Sequence, residues 1–131
     1  MIELAILYRV LNLYSHHAHN LTKGSTFFED HEFFGSLYAT ADDYYDQIIE
    51  RFIGTESYNV DLCEIIKEAH SLLENCNDKY FDTCLILIEE IIKHIDSLSK
   101  SGKISVGTQN LIIGQADALE VTIYKLRRKL G

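Results

Sequence analysis

Apolar residues recur every three or four positions through four long stretches of this 131-residue chain, and proline is absent. That spacing puts one apolar stripe on an α-helix, and long uninterrupted helices exclude interior proline. In residues 3–20 the stripe falls at 4, 7, 8, 11, 14 and 18, predicting helix A. Asn20 and Gly24 break it, and Ser25 or Thr26 is placed to cap the next helix. Helix B is predicted from about 27 to 53, with apolar or aromatic groups at 27, 28, 34, 37, 38, 41, 45, 48, 49, 52 and 53. A shorter amphipathic segment covers 60–75. Helix C covers roughly 78–100, and helix D about 106–129. Four long helices in one domain, residues 1–131, are expected to pack as a bundle, A against B and C against D through short loops. The longer B–C link would run the length of the bundle and carry the short extra helix, a ferritin-like layout.

Charge narrows the partners. The net charge is −8, with 20 acids against 12 bases. Such a chain repels nucleic acid unless it segregates a basic patch. The one dense cluster is Lys125, Arg127, Arg128 and Lys129, where cations complement the dipole of a closing helix. With a first helix beginning almost at Met1 and no lysine-rich tail, tight DNA binding is not expected. No apolar run of 18 or more residues and no signal peptide is evident, so no membrane span is expected. Cys63, Cys76 and Cys84 form no CxxC pair and are expected as small buried hydrophobes in a reducing cytosol.

The chemistry concentrates in residues 15–51. His16, His17, His19 and His31 lie close together, and Asp42, Asp46 and Glu50 follow on one stripe of helix B. Asp46 and Glu50, four apart, can reach a single cation. Yet His31 and Asp46 are fifteen residues apart on one helix, roughly 22 Å at the rise of an α-helix. One ion cannot bridge them within a chain. The Glu-x-x-His pairs of an intrachain di-iron bundle are also missing, since His94 follows Glu90 by four. A two-fold axis with B helices antiparallel would bring His31 of one subunit to Asp46 and Glu50 of the other. His19 would approach from the end of helix A.

The stretch from His19 through Lys23-Gly24 and Phe28 to His31, followed by Asp46 and Glu50-Arg51, resembles the Dps family, the mini-ferritins that protect DNA during starvation. The histidine spacing of twelve, and the acids fifteen and nineteen past His31, match the family pattern. The likeness is strong over 15–54 and extends more weakly, through GTQNLIIGQADALE, to nearly the whole chain. It implies a hollow homododecamer that oxidises Fe(II), commonly with hydrogen peroxide, and stores Fe(III) mineral. His19 and His31 of one subunit and Asp46 and Glu50 of its two-fold mate would be the metal-binding and catalytic groups of this ferroxidase. Three positions depart from the pattern. Asn20 stands where tryptophan is usual, Gly35 where an acid is common, and SGKISVGTQN lacks the acids that often line iron-entry pores, leaving Asp117 the nearest. These departures keep a second reading open, a family-like cage or bundle without redox activity that serves as an interaction module. A third is zinc binding through His16, His17 and His19.

Overall fold

The computed structural model describes residues 1–131 and is all-helical. Its helices are α1 (Ile2–Leu21), α2 (Phe27–Gly54), α3 (Leu62–Glu74), α4 (Tyr80–Lys100) and α5 (Val106–Leu130). Each coincides with a predicted segment to within a few residues. α1 packs along α2 and also meets α3 and α4; α4 packs along α5, and α2 touches α5.

Because α1 has neighbours on three sides, it buries more of its surface than any other helix. Leu4, Tyr8, Leu11, Tyr14 and Ala18, all on its predicted stripe, are buried, and so are Ala5, Ile6 and Val10. Phe34, Ile48 and Phe52 of α2, Ile88, Ile91 and Ile95 of α4, and Ile112 and Leu119 of α5 meet them in one apolar cluster. Truncating any of these to alanine would cost about 2–5 kcal/mol. A single polar chain crosses this core. The Tyr8 hydroxyl donates to Oε1 of Gln115 at 2.8 Å, and Nε2 of Gln115 donates to Oε1 of Gln47 at 3.1 Å. Burial pushes the Tyr8 phenol far above its ordinary range, so it stays a neutral donor.

The helix ends show where local chemistry sets boundaries. Asp61 caps α3, its Oδ1 accepting from the backbone N–H groups of Cys63 and Glu64 at 2.9 and 3.3 Å. Ser105 caps α5, accepting from the N–H of Thr108 at 3.1 Å. Glu56, just past α2, reaches the same place. Its Oε1 accepts from the N–H of Ser105 at 2.9 Å and the Thr108 hydroxyl at 2.7 Å. Thr26 occupies the cap position of α2 but caps no backbone N–H. Its hydroxyl instead donates to Asp30 at 2.7 Å. Asp30 is buried and also receives Lys129 at 3.3 Å, fastening the end of α5 to the start of α2.

The apolar pattern of α2 is not buried throughout, and the expectation that all three cysteines are buried needs correction. Phe28 and Ile53 continue the apolar pattern of α2, yet they are 85% and 53% exposed. At 100° per residue they fall on the outer stripe that carries Gly35, Asp42 and Asp46; α1 reaches that stripe at Gly35, through His19, and at Asp42, through Arg9, but not at its two ends. Of the cysteines, only Cys84 is buried, its thiol pushed up to about 12 by burial. Cys76 is half-buried, and Cys63, in the first turn of α3, is exposed.

Candidate metal centre

The turn between α1 and α2 brings His19 and His31 face to face. Gly24 permits that turn with φ of +100°, a conformation side-chain-bearing residues rarely adopt. The two imidazoles are stacked with centroids 3.6 Å apart and planes 21° from parallel. Each is also tied to the other's backbone. Nδ1 of His19 donates to the carbonyl of His31 at 2.7 Å, and Nδ1 of His31 donates to the carbonyl of His19 at 2.8 Å. A carbonyl oxygen can only accept, so in both neutral rings the proton sits on Nδ1. Nε2 is left with its lone pair free, the form in which an imidazole ligates a metal.

The local sequence explains why both carbonyls are reachable. His19 lies in the last turn of α1, where carbonyls have no partner within the helix. The carbonyl of His31 points along α2 towards residue 35, and residue 35 is glycine. A Cβ there would sit 3.1 Å from both Cε1 and Nδ1 of His19. The absent side chain is the space in which the His19 ring lies.

The surrounding rings complete the setting. Phe27 stacks on His31 at 4.9 Å. Tyr38 meets His19 edge-on at 5.3 Å, and His16 lies flat on Tyr38 at 4.0 Å with planes 4° apart. His17 turns the other way, towards Tyr80, while His16 and His19 remain in edge contact with centroids 6.1 Å apart.

The acids lie elsewhere on the same chain. Asp42 is engaged by Arg9 at 3.2 Å, and Arg9 also lies 3.8 Å over the ring of Tyr45. Asp46 and Glu50 are exposed, and none of the chain's ion pairs involves them. Arg51 turns away, its guanidinium lying where a Cβ on Gly107 would be, 2.8 Å off. Within one chain no three His, Cys, Asp or Glu side chains converge on a point. The structure thus joins His19 to His31, and leaves Asp46 and Glu50 as a separate pair about four turns along α2.

The reciprocal bonding, the place of Gly35 beside His19 and the Tyr38–His16 stack go beyond what the sequence indicates. A signal for the last existed. His16 lies three residues before His19, and Tyr38 seven after His31, both helical spacings that share a face.

Compared with known proteins, the chain matches no family model, no curated protein and no solved structure. No helix is long and apolar enough to cross a membrane.

Proposed function

We propose that the chain is a Dps-like mini-ferritin: a ferritin-like four-helix subunit, with α3 in the crossover, that oxidises Fe(II) at sites shared across a two-fold axis. The single observation that carries this reading is the His19–His31 pair, with both Nδ1 atoms committed to carbonyls and both Nε2 atoms free. Two imidazoles suit Fe(II), and carboxylates suit the harder Fe(III). Adding Asp46 and Glu50 of the partner subunit therefore favours loss of an electron at the iron. A shell of four protein ligands leaves room for the oxidant, hydrogen peroxide or oxygen.

The outer stripe of α2 supports the partner's contribution. In an antiparallel pair of α2 helices, the register that sets His31 opposite Glu50 also sets the exposed Phe28 opposite the exposed Ile53. It sets Gly35 opposite Asp46 as well, beside the His19 ring. One register thus supplies the acids to the imidazoles and buries the two apolar groups that the isolated subunit leaves in water. With the proposed closed dodecamer in a reducing cytosol, Fe(III) mineral is kept inside, and tight DNA binding is not part of the function.

The test is Fe(II) oxidation by peroxide in the assembled protein. The Asp46→Ala/Glu50→Ala double variant should lose it while assembling normally, and unchanged rates would remove these acids from the site. A native mass of a single subunit would end the shared-site reading, because no one chain closes the distance. Assembly without any iron loading would favour the non-redox cage.

A further inference from the structure

A ring system that the ligand set does not use stands beside the imidazole pair. Tyr38 touches the edge of His19, and His16 covers the phenol ring in a near-parallel stack. His16 is exposed, so three rings lead from His19 to the surface. The chain contains no tryptophan, and its one methionine is Met1. Phe27, the remaining carbocyclic ring against the pair, is hard to oxidise. Tyr38, through its contact with His19, is therefore the one readily oxidised ring that touches the imidazole pair.

The electron count at such a site is specific. Cleaving the O–O bond of peroxide to give two waters consumes two electrons, and one Fe(II) supplies one. A second iron at the same site needs further ligands, and position 35, against His19, provides none. Without another donor the remaining oxidising equivalent leaves as hydroxyl radical.

We propose that Tyr38 supplies the second electron, an inference that rests on the ferroxidase reading above. In the balanced step, Fe(II), the Tyr38 phenol, one hydrogen peroxide and one proton become Fe(III), a Tyr38 phenoxyl radical and two waters. The iron and the phenol each lose one electron, and the O–O bond breaks. The phenolic proton and one from solvent complete the waters. The His16 imidazole holds the phenol ring flat and edge-on to His19.

Metal-free assembled protein is given one Fe(II) per subunit and one equivalent of peroxide, then freeze-quenched for electron paramagnetic resonance. Fe(II) consumption and spin-trapped hydroxyl radical are followed in parallel. The native protein should show a tyrosyl radical. Tyr38→Phe, which keeps the ring between His16 and His19, should lose that signal, still consume Fe(II) and release several-fold more trapped hydroxyl radical. Circular dichroism checks that the variant is folded. A tyrosyl signal that survives Tyr38→Phe overturns the proposal. So does native protein that consumes Fe(II) with neither tyrosyl nor hydroxyl radical, since both electrons then come from iron and the ferroxidase reading stands alone. Protein that consumes no Fe(II) overturns that reading, and this proposal with it.

Discussion

The Cα of Gly35 faces the imidazole of His19 so closely that a methyl group on it would meet two ring atoms at 3.1 Å. His19 cannot easily yield, because His31 is stacked on it at 3.6 Å and its Nδ1 is held by a carbonyl. Gly35→Ala sets two effects against each other. Replacing a mid-helix glycine gains up to about 1 kcal/mol of helix propensity, and crowding a packed ring costs about 1–3 kcal/mol. Urea unfolding should therefore show a net loss of about 0–2 kcal/mol. Fe(II) oxidation should fall by roughly 10-fold or more, because the ligand ring is displaced. Normal oxidation in this variant would show that His19 does not need its position.

Phe28 and Ile53 are predicted to act between subunits. Their exposure means that Phe28→Ser and Ile53→Ser should change the stability of the isolated subunit by no more than about 0.5 kcal/mol. Light scattering should nevertheless show a lower assembled mass for each. An unchanged mass would mean that the two α2 helices do not meet in the proposed register.

The Tyr8–Gln115 bond offers a test of the core. Tyr8→Phe leaves Oε1 of the buried Gln115 without its donor, which should cost about 1–3 kcal/mol in urea unfolding. The cost should shrink in Tyr8→Phe/Gln115→Leu, where both polar groups are gone. A larger loss in the double variant would mean that packing, rather than the orphaned oxygen, decides.

Glu56 gives the fold an acid-sensitive point. Its carboxyl is held below the ordinary 4.5, first by the Ser105 N–H and then by the Thr108 hydroxyl. A lowered carboxyl value in the folded state stabilises it above the ordinary range. That contribution is lost as the pH falls through the lowered value. Thermal unfolding followed from neutral pH downwards should therefore show a smaller acid-induced loss for Glu56→Gln than for the native chain. Parallel curves would remove Glu56 from the acid response.

Much of this architecture was legible in the sequence because helix periodicity and turn residues act locally. The positions that put Tyr8, Leu11 and Ile88 inward are set by spacing alone, and so are the ends of all five helices to within a few residues. Phe28 and Ile53 share the apolar pattern without the burial. Periodicity says which residues share a face, while exposure depends on which neighbours arrive. Cys63 is similar, since α3 meets only α1 and Cys63 lies on the side of its first turn away from the buried Ile65. At the site, the spacing of His19 and His31 was readable, but their mutual carbonyl bonds were not. Those depend on an unpartnered helix end meeting a missing Cβ, a relation between two helices rather than within one. The adjacency of Asp46 and Glu50 was readable too, because it follows from the i, i+4 spacing within one helix.

The rings of His19 and His31 hold the end of α1 to the start of α2, and the same rings offer the lone pairs. An ion that takes both Nε2 atoms binds a pair that exists only while that corner is folded. Its affinity is then drawn partly from the order of residues 22–26, and occupancy adds to the free energy of unfolding by mass action. Loading and rigidity at this corner become a single linked equilibrium, so a filled shell would resist heat better than an empty one.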